Sequence, residues 1–420
     1  MRIVLAALGS RGDTQPCVAL AEGLMQRGHD VTVLASARYA HVIQGVGVRH
    51  APISFDPQQM VESEEGQAML AGGPMGFVRG IRNVIEPLAE VTLGEMEVAC
   101  EDAELILAPA MGGCGRHLSD RYGIPHGVLQ FQPSEPTGAF ANPVITSRNL
   151  GGVANRATFA LIEGLTWAAL ARMTNRLRRS VLGLTPLRRS PFHHDRAAGV
   201  PTLCGVSSVV VARPLDWPEN VHMTGFWLRA DERPLPPALR AFLAAGPPPV
   251  YIGFGSMTAS EPALLADYVR AALHRTGLRG VVQGLPQWSS DSDRVYFADE
   301  LNHSMLFPQM AAVVHHGGAG TTATAMRAGV PNIVCPFFGD QPFWGNKVTE
   351  LGVGPAPAPM KELDADRLVR RLQVAVSDHS IQEKARLMGS WLQAEDGVGN
   401  ACRIIDDSFE SVSRWPARVG

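Results

Sequence analysis

Lysine is almost missing from this chain: of 37 basic residues only Lys347, Lys361 and Lys384 are lysines, and arginine supplies the other 34. That scarcity reads as the coding bias of a GC-rich genome. With 40 acidic residues the formal net charge is −3, which leaves no basic footprint for a nucleic-acid partner. The six cysteines (17, 100, 114, 204, 335 and 402) contain no Cys-x-x-Cys pair and sit mostly in apolar stretches. Reduced, buried thiols of a cytoplasmic protein explain them better than disulfides or zinc. No apolar run approaches the about 20 residues that a membrane span requires. The opening Met1-Arg-Ile-Val-Leu-Ala-Ala-Leu-Gly9 has no cleavage site and reads as a first β-strand. A G-x-G-x-x-G fingerprint is missing after that strand, which disfavours a dinucleotide oxidoreductase.

What is present is enough apolar residue to build large cores: 45% hydrophobic against 18% charged, in 420 residues. That length predicts two domains of about 200 residues each. Ile3–Leu8 reads as a strand, Gln15–Arg27 as an amphipathic helix stopped by Gly28, and Asp30–Ala35 as a second strand. Leu105–Ala110 and Gly127–Phe131 read as later strands around a helix at 115–122. Such alternation implies right-handed crossovers and a doubly wound parallel sheet, so the fold class is α/β. A proline-rich stretch, from Pro214 through Arg233-Pro-Leu-Pro-Pro237 to Pro249, marks a linker. The alternation then restarts, with strands at 250–254, 280–283 and 294–297 and a helix at 264–276. The expected organisation is a first domain over 1–213, a linker over 214–249 and a second domain over 250–399, with a helix at about 400–420 packing back on the first domain.

The most informative stretch is Val314-His315-His316-Gly317-Gly318-Ala319-Gly320-Thr321-Thr322, followed by Phe338-Gly339-Asp340-Gln341-Pro342. A buried β-run (310–314) empties into a glycine-rich turn and a helix (321–328) begins at once. Backbone N–H groups at such a helix start lack intrahelical partners and carry partial positive charge, so the turn can hold a phosphate or diphosphate. Asp340 and Gln341, after the next apolar strand (331–338), have side chains suited to reading sugar hydroxyls. An anion cradle one strand away from a carboxylate–amide pair describes a nucleotide-sugar site.

Other segments add to it. The loop Gly9-Ser10-Arg11-Gly12-Asp13 stands at the carboxyl end of the first strand, where open α/β sheets place ligands. Asp13 reads either as a helix N-cap or as a general base facing the cleft, with Arg11 beside it for a phosphate. Gly253-Phe-Gly-Ser256 is a second small-residue turn able to approach a phosphate. Trp288 could stack on a base or be core, and Glu300-Leu301-Asn-His303 could read a base edge. The Ala- and Leu-rich run at 157–171 reads as a buried helix beside a substrate cleft in preference to a membrane-associated one. Phe192-His193-His194-Asp195 reads as a surface loop in preference to a metal site. The triplets Asp291-Ser-Asp293 and Asp364-Ala-Asp366 read as a polar loop and a helix cap, so no metal is expected.

Taken together these motifs resemble the family 1 glycosyltransferases of GT-B fold, in the branch of sterol glucosyltransferases and of glycosyltransferases that decorate glycopeptide and polyketide antibiotics. The resemblance covers nearly the whole chain, above all 295–354. It implies two Rossmann-like domains facing across a cleft, and an inverting, metal-independent transfer of a sugar from a UDP- or dTDP-sugar to a hydroxyl of a hydrophobic natural product. It assigns the donor diphosphate to Ser10, Arg11, Ser256, His316, Gly318, Ala319, Gly320 and Thr321, and the sugar to Asp340 and Gln341. It gives Asp13 to the catalytic base, where plant relatives carry a histidine; Trp288, Leu301 and His303 are candidates for the nucleobase from the residue reading alone. The aspartate that orients that histidine has no counterpart here, since the neighbourhood reads Ala108-Pro109-Ala110-Met111. No cofactor is implied beyond the donor, and the partners are the two small molecules, with peripheral membrane contact and a monomer or homodimer left open. The rival readings are a catalytically silent partner protein on the same fold and a sugar epimerase or hydrolase. Residues 55–95 and 133–200, with Met60, Met69, Met75, Phe77, Phe140 and Trp167, supply the expected apolar acceptor cleft.

Overall fold

The computed structural model describes residues 1–56, 59–60, 63, 66, 85–229, 231, 233–255, 261–288 and 293–409. Ser256, Met69, Met75, Phe77 and Asp291 therefore lie outside the described residues.

The first domain is a seven-stranded parallel sheet: β1 (Arg2–Ala7), β2 (Asp30–Ser36), β3 (Arg49–Ile53), β4 (Leu105–Pro109), β5 (His126–Gln130), β6 (Thr202–Cys204) and β7 (Val221–Met223), in the order β3-β2-β1-β4-β5-β6-β7. Central strands such as β1 and β4 are buried along almost their whole length, which is why they read as continuous apolar runs without alternation. Helices cover both faces. They are α1 (Arg11–Gln26), α2 (Ala40–Gln44), α3 (Glu86–Cys100), α4 (Cys114–Tyr122), α5 (Gly152–Ser180) and α6 (Pro191–Ala197). β7 lies within the stretch expected to be linker, because Val221–Met223 completes the sheet against β6.

Three further expectations are corrected here. Helix α1 starts at Arg11, four residues before the expected Gln15, because Ser10 caps it; Pro16 therefore sits inside the helix. Helix α5 is half-exposed along its length and not buried: Leu161 and Leu165 face solvent, while Ile162, Thr166 and Leu170 line the cleft. The 192–195 segment is not a surface loop but part of α6, with Asp195 buried and accepting hydrogen bonds from Arg116 and His126.

The second domain is a five-stranded parallel sheet of β8 (Val250–Gly253), β9 (Gly280–Gln283), β10 (Val295–Ala298), β11 (Ala312–His315) and β12 (Asn332–Val334), ordered β10-β9-β8-β11-β12. Its helices are α7 (Pro237–Ala244), α8 (Pro262–Thr276), α9 (His303–Leu306), α10 (Ala319–Arg327), α11 (Gln341–Glu350), α12 (Ala365–Ser377), α13 (His379–Ala394) and α14 (Gly397–Phe409). Asp364 caps α12, its side chain accepting from the Arg367 N–H. α14 returns to the first domain, where Cys402, Ile405 and Phe409 join the core of α1 and its sheet, and Asp406 takes ion pairs from Arg27 and His29.

An apolar cluster joins the domains: Val206, Trp217 and Val221 from the first pack with Phe343, Trp344, Met388 and Leu392 from the second. The strand order reverses between β1 and β4 in one sheet and between β8 and β11 in the other. Ligands bind outside the carboxyl ends of strands at such switch points, and both open onto one cleft. Among the described residues no helix is long and apolar enough to cross a membrane.

Candidate functional site

On the first-domain wall, β1 runs into Leu8-Gly9-Ser10 and then α1. The Ser10 hydroxyl accepts from the Gly12 N–H at 3.3 Å, so Ser10 is the N-cap. Asp13 is three residues further on, in the position a capping box gives to an acid, which corrects its reading as the cap itself. Its carboxylate lies over Gly9, where a Cβ would stand 1.9 Å from Oδ2. Only a residue without a side chain permits that placement. Burial pushes the Asp13 pKa up to about 6; the backbone N–H groups of Ser10 and Asp13 pull it down, and the charge of Asp340 across the cleft raises it. Near neutral pH this carboxylate is ionised, yet basic enough to take a proton. Arg11 spans the cleft to Glu300 of the second domain, Nη2 to Oε1 at 3.0 Å.

On the second-domain wall, β11 ends at two histidines that point to opposite faces. His315 is buried: its Nε2 meets Asn332 Oδ1 at 3.1 Å and its Nδ1 accepts from the Gly317 N–H, which shapes the turn. His316 lines the cleft. Its ring is wedged between two glycines, since a Cβ on Gly255 or Gly318 would come within 2.9 or 2.6 Å of it. Burial lowers its pKa to about 4, so it is a neutral hydrogen-bonding ring at physiological pH. Its Nδ1 is buried and has no partner among the described residues. Gly318 is the N-cap of α10 and provides no side-chain cap. The first-turn N–H groups of Ala319, Gly320 and Thr321 are thus left to face the cleft these residues line.

Beyond β12, Asp340 Oδ2 accepts from Trp344 Nε1 at 2.7 Å, and burial raises its pKa. The Gln341 carbonyl accepts from the Phe337 N–H at 2.7 Å, so its NH2 group is the end without a protein partner among the described residues. At the ends of β8 and β9 the Tyr251 hydroxyl donates to Gln283 Oε1 at 2.6 Å, and His303 Nε2 lies 3.0 Å from both. The His303 ring stacks on Phe307 at 4.5 Å, and burial lowers its pKa to about 3. Tyr251 and Gln283 went unread in the sequence. Strand residues announce burial there, and nothing local says that a hydroxyl and an amide will meet a histidine 52 and 20 residues on.

All these groups line one cleft of about 1730 Å³: Gly9, Ser10, Arg11 and Asp13 from one wall, and His316, Gly318–Thr321, Asp340, Gln341, Leu301 and His303 from the other. The first-domain end is mostly apolar, with Met60, Leu88, Leu93, Met96 and Met173 among its lining. Three expected residues are elsewhere. Trp288 is half-buried and packed edge-on to Phe297 at 4.6 Å against the second-domain core, Phe140 packs against Phe159 and Phe343, and neither they nor Trp167 are among the described lining residues. Among the described residues no group of three or more His, Cys, Asp or Glu is placed to hold a metal ion.

Comparison with known proteins matches residues 3–139 to the glycosyltransferase family 28 N-terminal domain and 282–395 to the erythromycin biosynthesis protein CIII-like C-terminal domain. Two sterol 3-beta-glucosyltransferases of Arabidopsis thaliana, UGT80A2 and UGT80B1, are 32% and 31% identical over 96% of this chain, which spans 65% and 67% of their own lengths. A sterol 3-beta-glucosyltransferase of Cryptococcus neoformans is 30% identical over 98% of the chain, which spans only 27% of that protein. The spinosyn forosaminyltransferase SpnP superposes with a TM-score of 0.69 at 15% identity, covering 99% of this chain and 100% of that one. The glycosyltransferase VinC in complex with dTDP gives 0.66 at 19%, covering 98% and 100%. Identity of 31% to a plant protein of which this chain spans 67%, the two domain matches in order and the shared fold together place this chain in the glycosyltransferase family of the sterol 3-beta-glucosyltransferases, with the GT-B fold that antibiotic glycosyltransferases also have.

Proposed function

We propose that the protein is an inverting glycosyltransferase that moves a sugar from a UDP- or dTDP-sugar to a hydroxyl of a hydrophobic sterol-like or polyketide-like acceptor, without a metal ion. The observation that carries this reading is the placement of an ionisable carboxylate, Asp13, on one wall of a cleft whose other wall holds an uncapped helix start, His316 and Asp340. Asp13 takes the proton of the acceptor hydroxyl as its oxygen bonds to the anomeric carbon. The bond from that carbon to the diphosphate breaks on the opposite face, and the electron pair leaves with the diphosphate. The Gly318–Thr321 amides, His316 as a neutral donor, and Arg11 once released from Glu300 receive the leaving charge. Asp340 and the Gln341 NH2 hold sugar hydroxyls, and the Tyr251–Gln283–His303 group faces the nucleobase end. The names of the relatives, sterol transferases by sequence and a dTDP-bound transferase by fold, support the donor and acceptor classes.

The test is a thermal-shift series with UDP, dTDP, GDP and ADP, followed by anomeric NMR of the product from the responding sugar nucleotide. A nucleotide at about 100 times its Kd stabilises by roughly 2.7 kcal/mol, a shift of several degrees. A flat series removes the donor site, and a product that retains the donor's anomeric configuration removes the single-displacement mechanism.

A further inference from the structure

The apolar end of the cleft contains two buried polar groups that the proposed transfer does not use. Gln130, the last residue of β5, is 7% exposed, and its Oε1 has no hydrogen-bond partner among the described residues. Glu135, in the loop after it, is 6% exposed, and that loop is pinned by the Trp217 indole N–H donating to the Glu135 carbonyl at 3.1 Å. The nearest cation is Arg196, but its fork is taken by Glu163, with bonds of 2.6 and 2.5 Å. Glu135 Oε1 stands 3.8 Å from the same guanidinium, outside a hydrogen bond. One arginine thus faces two carboxylates, and Gln130, Glu135, Glu163 and Arg196 all line the cleft. Burial pushes the Glu135 carboxyl up to about 7, with Arg196 and the Gln130 amide lowering it and Glu163 raising it. An orphan acceptor and a half-neutralised carboxylate in an apolar hole are costly when empty and are relieved by a hydrogen-bond donor.

The sheet fixes how far this pair stands from the reacting end. Extending the register from Leu5–Leu107 and Pro109–Leu129 puts Gln130 level with Leu8, two strands away. Two strand spacings are about 10 Å. We infer that Gln130 and Glu135 form a second polar anchor for the acceptor, about 10 Å from the Asp13 end of the cleft, accepting hydrogen bonds from a hydroxyl or ammonium group at the acceptor's far end. This rests on the proposed transfer and narrows its substrate: the acceptor is apolar in the middle and polar at both ends. A sterol with a saturated hydrocarbon tail leaves the anchor unpaired and is selected against, because a site built for a polar group rejects the analogue that lacks it.

Three 3β-hydroxysteroids test this: one with a hydrocarbon tail at carbon 17, one with a 17β-hydroxyl and one with a 17β-amine. Kd is read by quenching of intrinsic tryptophan fluorescence, since Trp227 lines the cleft, and kcat/KM by nucleoside diphosphate release with UDP-glucose and dTDP-glucose. The expected result is about tenfold or tighter binding of the polar-ended steroids, and loss of that preference when Gln130→Leu is combined with Glu135→Leu. Glu135→Gln, which keeps an acceptor oxygen and removes the charge, is expected to keep the preference for the hydroxyl and to lose the preference for the amine. Equal Kd for all three steroids, failure of all three to bind, or a preference that survives the folded double variant overturns the anchor. Binding with the expected ratios but no transfer from either donor leaves the anchor standing and counts against the transferase reading.

Discussion

Asp13 shows how one residue serves two ends. It sits in the capping-box position of α1, which fixes its rotamer, and it faces the cleft, where burial and Asp340 hold its pKa near 6. Turnover (kcat/KM) is therefore expected to rise with pH through about 6 and then level off, as the carboxylate ionises. Asp13→Asn is expected to lose transfer by about 100- to 10,000-fold with nucleotide Kd nearly unchanged, measured by initial rates and calorimetry. Stability moves the other way. A carboxyl whose folded pKa lies above the unfolded 3.8 stabilises the protein below pH 3.8 and loses that contribution as pH rises through about 6. The Asn variant should therefore melt higher than the native protein at pH 8, and the advantage should vanish below about pH 4. Gly9→Ala is the matched positional test: with 1.9 Å between its Cβ and Asp13 Oδ2, the carboxylate must move, and turnover is expected to fall about 10- to 100-fold with donor binding intact.

Among the elements, α10 and α11 are the two that the proposed function gives to the donor. Helix α10 opens with glycine and without a side-chain cap, so its start is free for an anion; α11 opens with Asp340, held by the Trp344 indole one turn later. Trp344→Phe keeps the buried ring volume and removes that N–H. The sugar contact is expected to loosen, raising the KM for the sugar nucleotide several-fold while the Kd for the bare nucleoside diphosphate stays put; an equal change in both would place Trp344 in packing alone. The motif that carries α10 was legible in the sequence because strand, turn and helix start lie within about ten consecutive residues and each uses a local signal. The start of α1 was not, because Gly12, Asp13 and Pro16 look like loop and cap, while Ser10 nucleates the helix before them.

For the whole molecule, contacts of unlike kinds hold the domains: besides the return of α14 onto the first domain, an apolar cluster and an ion pair cross between them. The apolar cluster around Trp217, Phe343 and Trp344 is buried, whereas the Arg11–Glu300 pair has side chains 41% and 60% exposed. Trp217→Ala is expected to cost about 3–5 kcal/mol and to split a single calorimetric transition into two, one per domain. Glu300→Ala should cost under about 1 kcal/mol, because exposed pairs are screened, and should tighten nucleoside diphosphate binding a few-fold by freeing Arg11. Unchanged binding in that variant would keep Arg11 away from the diphosphate.

By itself the sequence determined the class of fold, the glycine-rich turn between β11 and the helix after it, and the place of Asp340 and Gln341 at the start of the next helix, because alternating apolar runs and turn residues act over a few positions. Only the tertiary structure decided what stands opposite what: that Asp13 faces Asp340 and has its basicity set by burial, that Trp288 and Phe140 pack half-buried against the cores, and that Glu135, beside Gln130, meets an arginine already taken by Glu163. Those relations join residues tens to hundreds apart through two sheets whose switch points share one cleft. Burial and long-range charge depend on that assembly, and no local pattern of residues encodes them.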